Sequence, residues 1–182
     1  RNEELMLGEC LSRLSRFAHV VVVDSGSTDR TLEVAREHGA ETLAFVWDGR
    51  FPKKRNWTLR THPFRTPWVF FLDADEMVTE AFCDELARTL PTTAHAGFWV
   101  TYTNWFLGRP LRHGEANRKL AVFRVGAGEY ERIDDTRWSG LDMEVHEHPV
   151  LEGTTGALRS RLDHRDDRGY AHWLAKHNDY ST

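Results

Sequence analysis

The chain has 182 residues, 40% of them hydrophobic, a length and apolar content that suit one soluble globular domain with a proper core. Its formal net charge of −4 excludes the general basic field that grips nucleic acid, so cations matter only where they cluster. No apolar run is long enough to span a bilayer and no secretory pattern is seen, and the two cysteines, Cys10 and Cys83, lack redox or zinc-knuckle spacing. A cytoplasmic protein in a reducing compartment is expected.

The chain opens on Arg1 to Glu4 and runs straight into a helix, and it closes on Tyr180 to Thr182 just beyond another. Both ends read as cut, and a strand is expected before Arg1. Leu5, Leu7, Cys10, Leu11 and Leu14 approximate an amphipathic helix that packs one face on a sheet. Val20 to Val23 read as a buried strand ending in the polar loop Asp24 to Asp29. A helix from Thr31 to His38 follows, closed by Gly39 at the C′ position. Strand, polar loop and helix make the first half of a nucleotide-binding unit. Ser27, Thr28 or Asp29 is best spent capping that helix, whereas Asp24 sits at the strand end where a ligand would lie. Glu41 to Val46 is a second parallel strand, Asp48 to Pro52 a turn, and Lys53 opens a short helix to about Arg60. The consecutive cations Lys53, Lys54 and Arg55 are either a solvated face or, between strands ending in carboxylates, place Lys54 or Arg55 against a base or phosphate.

The stretch Trp68 to Glu76, WVFFLDADE, organises the rest. Its continuous apolar run predicts a strand buried on both faces, as in a parallel sheet, whose carboxyl end is where such sheets hold ligands. Asp73 and Asp75 fall at that end, and i, i+2 spacing puts both on one side if strand geometry persists. Adjacent anions call for a hard divalent ion, Mg²⁺ or Mn²⁺, completed by substrate phosphates and water. The plainer reading makes them solvated turn residues, with Asp75 or Glu76 favouring the start of the next helix.

Thr79 is a predicted N-cap for a helix to about Leu90 with Phe82, Leu86 and Leu90 on its core face, stopped by Pro91. The α-β alternation to this point is that of a doubly wound sheet. Thereafter the chain turns β-rich and aromatic. Gly97 to Thr103 reads as a strand, Asn104 to Gly108 as a turn and Lys119 to Arg124 as another strand. Trp99, Trp105 and Trp138 offer flat faces that suit sugar rings, although core or rim packing is the commoner use. In Met143 to Pro149 the H-E-H pattern lacks the helical spacing of a zinc protease. A strand there aims Glu147 into a cleft, with His146 and His148 on the other face. Leu162, Asp163 and His164 precede a predicted helix with Tyr170, Trp173, Leu174 and His177 on one packed face, and His164 is a candidate ligand.

VVVDSGSTDRT, KKRNW and FFLDADE, in this order and spacing, resemble the family 2 inverting glycosyltransferases. NWFLGRPLRHG, AVFR, EVHEHP with Gly153, and LDH before Lys176 and Tyr180 are similar to the subgroup that includes lipopolysaccharide core glucosyltransferases. The resemblance implies the GT-A (nucleotide-diphospho-sugar transferase) fold, an α/β architecture with a mixed, mostly parallel sheet flanked by helices, here with its first strand missing. It implies a single glycosyltransferase domain over 1–182, with a nucleotide-binding half (1–90) and an acceptor-side half (91–182). By the same resemblance Asp24, Ser25, Lys54, Arg55, Asp73 and Asp75 bind the nucleotide-sugar, and Asp75, Asp73 and His164 hold Mg²⁺ or Mn²⁺. Glu147 is the general base, and Trp105 and His146 lie on the acceptor side. The implied partners are a nucleotide-sugar donor, a UDP-sugar, and a glycan or glycolipid acceptor, with no nucleic acid and with peripheral association at the inner face of the cell membrane.

Three other readings compete. A haloacid-dehalogenase-type phosphatase also uses D-x-D after an apolar strand, but Glu76-Met77 follows here and two β-α units precede. A nucleotidyltransferase would want a Gly-rich phosphate loop near the start. A non-catalytic nucleotide- or sugar-binding module would keep the same residues without turnover.

Overall fold

The computed structural model describes residues 1–113, 117–132, 148–165, 169–170, 174 and 178. Trp138, His146, Glu147, Trp173, Lys176, His177 and Tyr180 lie outside the described residues. Among those described, the element order is α1 (Glu4–Ser12), β1 (Val21–Asp24), α2 (Thr31–Glu37), β2 (Glu41–Ala44), α3 (Lys54–Thr61), β3 (Trp68–Phe70), β4 (Glu76–Met77), α4 (Glu80–Thr89), β5 (Gly97–Phe106), β6 (Arg109–Pro110), β7 (Arg118–Arg124), β8 (Gly128–Tyr130), β9 (Pro149–Leu151) and β10 (Thr155–Arg165).

The first half follows the predicted alternation closely. Helix α1 buries Met6, Leu7, Cys10 and Leu11, while Leu5, expected on this face, is 77% exposed and Met6 takes its place. Leu7 and Leu11 pack on Ala35 of α2 and on Val20 and Val22. Gly39 adopts φ +73°, the left-handed conformation that ends α2 and that a side chain would resist. Strands β1 and β2 pair in parallel from Val21 opposite Glu41 to Asp24 opposite Ala44. Thr79 caps α4, its Oγ1 accepting from the Phe82 N–H at 3.2 Å, and the helix then drives Phe82, Cys83 and Leu86 into the core.

That core lies under a six-stranded sheet of order β3-β7-β5-β10-β4, with β6 paired to β5. Phe82, Val100, Tyr102, Val122 and Leu162 are all almost fully buried in it. The long strands β5 and β10 run parallel, from Gly97 opposite Thr155 to Trp105 opposite Arg165, across a bulge between Ala157 and Arg161.

Several expectations need correction. The sheet is mixed, as expected, but not mostly parallel: β1–β2 and β5–β10 are the parallel pairs among the described residues, while β3–β7, β5–β7, β4–β10, β5–β6 and β8–β9 are antiparallel. The strand before the D-x-D covers only Trp68–Phe70 and pairs antiparallel with β7, so its apolar run reflects burial under α4 and α1 rather than parallel neighbours. Strand β5 continues through Asn104 to Phe106, and the turn comes at Leu107 and Gly108, both at positive φ. His164, expected just ahead of a helix, lies within strand β10, and the described residues Tyr170, Leu174 and Asn178 beyond it are helical. Tyr170 and Leu174, expected on a packed helix face, are 54% and 46% exposed.

A cavity of about 1120 Å³ separates β1 from β3, lined by Val20 to Val23 on one wall and Val69 to Leu72 on the other. Among the described residues β1 pairs only with β2 and β3 only with β7, so each turns an open edge to the cavity. No helix among the described residues is long and apolar enough to cross a membrane.

Candidate active site

The site is built where β1 and β3 end. Asp24, the last residue of β1, is 5% exposed, and its Oδ2 accepts from the Gly26 and Ser27 N–H groups at 3.0 and 2.9 Å. The carboxylate thereby folds the following loop around itself, with Gly26 at φ +74°. Asn2, Glu3 and Glu4 brace the same loop: Thr28 N–H donates to Asn2 Oδ1 at 2.9 Å, Glu3 N–H to Thr31 Oγ1 at 2.8 Å, and Arg30 N–H to Glu4 Oε2 at 2.9 Å. The helix cap expected among Ser27, Thr28 and Asp29 falls instead at Arg30, which makes no side-chain cap bond, while Asp29, just before it, accepts from the Thr31 N–H at 3.0 Å through Oδ1.

Helix α3 brings two cations to the site from its first turn. Lys54 Nζ donates to Ser25 Oγ at 3.1 Å, and Arg55 reaches Asp73 Oδ1 at 3.4 Å. The helix is pinned by a two-point amide clasp: buried Asn56 donates to Tyr130 O and accepts from Tyr130 N, both at 2.8 Å. Tyr130 in turn lies under the Arg55 guanidinium at 5.1 Å, a cation–π contact that fixes its direction.

The chain leaves strand geometry before Asp73, so the two aspartates do not share a face as i, i+2 spacing predicted. Asp73 gives one oxygen to Arg55 and the other to Lys119, whose Nζ lies 2.7 Å from Oδ2. Asp75 turns instead toward β10, where His164 Nε2 stands 3.5 Å from Oδ2. Arg165 N–H donates to the Asp75 carbonyl at 2.8 Å, which docks β10 against this turn. The other imidazole nitrogen, His164 Nδ1, is 3.3 Å from Asn104 Oδ1 on β5.

Glu76, which the plainer reading gave at most a part in starting the next helix, is buried at the centre of these contacts. It sits in β4 with its side chain 2% exposed; Oε2 accepts from Asp73 N–H at 3.0 Å and Oε1 from Lys119 Nζ at 2.5 Å. Lys119 therefore bridges two carboxylates. Burial acts to raise the Asp73 carboxyl, but the Lys119 ammonium and Arg55 guanidinium outweigh it and hold it down at about 2. Glu76 moves the other way, pushed up by burial and by the neighbouring Asp73 charge against the pull of Lys119. Lys119 is raised by the two carboxylates despite its own burial. His164 is raised chiefly by its hydrogen bond to Asp75, against desolvation. Cys10 donates to the Glu76 carbonyl at 3.4 Å, and burial plus the carboxylates push its thiol up to about 12, so it stays a neutral packing group.

Asp75 and His164 fit a divalent ion. They present one carboxylate and one imidazole whose second nitrogen faces an amide oxygen, a supported ligand pair that leaves the other positions for phosphate oxygens and water. Asp73 fits that role less well, because both its oxygens are taken by cations. Trp105, read as an acceptor-side residue, carries the Arg165 guanidinium over its ring at 4.2 Å. Glu147 and His146 lie outside the described residues. Sequence reasoning missed Lys119, Asn104 and the Asn56–Tyr130 clasp. Each is a polar residue inside an otherwise ordinary strand or helix, and no local pattern marks it.

With this geometry in place the family can be stated. Residues 1–144 match the family described as glycosyl transferase family 2, and the chain belongs to it; its fold is GT-A. Over its whole length it is 30% identical to the lipopolysaccharide core biosynthesis glycosyltransferase LpsC of Rhizobium meliloti, of which it covers 66%. It is 34% identical over 46% of its length to a TPR repeat-containing protein of Synechococcus elongatus, covering 21% of that protein. An uncharacterized glycosyltransferase of Rickettsia typhi is 29% identical over 47% of the chain, with 29% of that relative covered. The chain thus spans less than two thirds of the length of these relatives.

Proposed function

We propose that the chain carries the donor site of a metal-dependent inverting glycosyltransferase that moves a sugar from a nucleotide-diphospho-sugar, a UDP-sugar, to a hydroxyl of a glycan or glycolipid. The observation that carries this reading is that α3 sets Lys54 on Ser25 of the Asp24 loop and Arg55 on Asp73, while Asp75 in the same turn as Asp73 meets His164, in a chain of this family. The name of the Rhizobium relative supports a cell-envelope acceptor, and a glycolipid acceptor would bring the protein to the inner membrane face.

Asp24 and the loop it folds around itself orient the nucleoside. Lys54 and Arg55 offer positive charge to the diphosphate, and Asp73 keeps the Arg55 guanidinium aimed. Asp75 and His164 would hold Mg²⁺ or Mn²⁺, which supplies neutralisation of the charge that develops on the departing diphosphate. Glu147 accepts the proton of the acceptor hydroxyl as its oxygen attacks the anomeric carbon from the face opposite the leaving group, which inverts the configuration.

Calorimetric titration with a panel of nucleoside diphosphates, with and without Mn²⁺, on wild type and Asp75→Asn tests the donor site. Metal-dependent binding of one nucleotide, lost in the variant, is expected. Nucleotide binding indifferent to metal and to Asp75→Asn would overturn the assignment.

A further inference from the structure

The strands that end in the donor site carry a second cluster at their opposite end. His19 lies two residues before β1, Glu41 is the first residue of β2, and His62 caps the C-terminus of α3. His19 Nε2 is 2.8 Å from Glu41 Oε2, and His62 Nδ1 is 3.9 Å from Glu41 Oε1. One ligand atom from each of the three lies within 4.8 Å of the others. The two imidazoles face one another at 5.4 Å between ring centroids.

His62 makes this more than an ion pair. Its side chain is 2% exposed, yet neither ring nitrogen has a hydrogen-bond partner among the described residues. A buried imidazole left in that state bears the desolvation of two unpaired nitrogens with nothing in return, which points to a group that completes it. Its Nδ1 points toward the carboxylate that His19 already engages.

We propose that His19, Glu41 and His62 form a transition-metal site for Zn²⁺, an ion that two imidazoles and one carboxylate can hold with water in the fourth position. Bonds of ~2.0–2.1 Å put tetrahedral ligand atoms roughly 3.4 Å apart, so the His62–Glu41 pair closes slightly and the His19–Glu41 pair opens slightly. Glu41, with a side chain 37% exposed, is free to make that adjustment and leaves water access. The softer donor set distinguishes this site from the Asp75–His164 pair, which suits a hard ion sharing phosphate oxygens. The consequence is mechanical. The metal ties the end of α3 to the start of the β1–β2 pair, and α3 carries Lys54 and Arg55 in its first turn, so the clamp fixes the helix that faces the diphosphate.

The test is Zn²⁺ titration by calorimetry and Co²⁺ substitution read by visible absorption, on wild type, Asp75→Asn, Glu41→Gln and His62→Ala, with circular dichroism of each. One equivalent of Zn²⁺ is expected to bind in wild type and to persist in Asp75→Asn, with Co²⁺ giving the bands of a four-coordinate site. Glu41→Gln, a substitution at a partly exposed residue that leaves the fold intact, is expected to weaken binding by at least ~10–100-fold, the loss typical even of an outer partner. Zinc binding lost in Asp75→Asn but intact in Glu41→Gln would overturn the proposal, and so would no binding at all. The imidazoles would then be assigned to hydrogen bonds with whatever fills the adjoining cavity, which His19 and His62 also line.

Discussion

Replacing Lys119 by Met keeps an apolar stem of similar length and removes the ammonium that joins Asp73 to Glu76 and lies over the Tyr102 ring at 5.4 Å. For Asp73 the interval from 3.8 to about 2 corresponds to ~2.4 kcal/mol. Since 40% of that side chain is exposed and Arg55, which stays, supplies part of the shift, the part that Lys119 contributes to stability is at most about 1 kcal/mol. Glu76 is 2% exposed, and stripping a buried carboxylate of its cation adds roughly 1–3 kcal/mol while it stays ionised. At pH 7 the variant should therefore lose about 2–4 kcal/mol. The pH dependence separates the two contributions. Asp73 has a depressed folded value, so its stabilisation is complete above 3.8 and fades only as pH falls through about 2. Glu76 has a raised folded value, so its ionisation costs nothing below its ordinary 4.5 and grows costly as pH rises through the raised value, more steeply without Lys119. Urea unfolding followed by tryptophan fluorescence at pH 7 and pH 4 reads the difference, with the loss expected to shrink to about 1 kcal/mol at the lower pH. A loss equal at both pH values, or larger at pH 4, would refute the bridge.

Glu147→Gln should retain donor binding and lose transfer by ~10²–10⁴-fold, measured as product formed under saturating donor; wild-type turnover would reassign the base. Phe82→Ala removes a fully buried ring from the main core and should cost about 3–5 kcal/mol, read from the denaturation midpoint at unchanged slope. Thr79→Ala deletes the cap on the Phe82 N–H and should cost ~1 kcal/mol in the same assay, with Thr79→Ser close to wild type. His164→Gln should weaken Mn²⁺-dependent nucleotide binding while leaving metal-free binding unchanged, which titration at two metal concentrations will show.

Much of the first half was legible because its information is local. A run of four valines ending in Asp24, a Gly39 that alone tolerates its conformation, and a Thr79 three residues before Phe82 each specify their element within a few neighbours. The order of those elements, with D-x-D after an apolar run, was sufficient to name the family that the comparison then showed. The sequence by itself therefore determined the class and the order of the elements in the first half.

What only the tertiary structure decided is how those residues are divided. Spacing put Asp73 and Asp75 on one face; the chain bends out of strand geometry, and long-range partners send one to Arg55 and Lys119 and the other to His164. Lys119 lies 46 residues from Asp73, and Asn56 lies 74 from Tyr130, so no window of local pattern contains both members of either pair. The same holds for Glu76, whose burial depends on β10 crossing beside β4, and for His62, whose imidazole is stranded only because α3 ends against the start of β1 and β2. Periodicity reports which face of an element is apolar; which charges then meet is set by the packing of elements far apart in the chain.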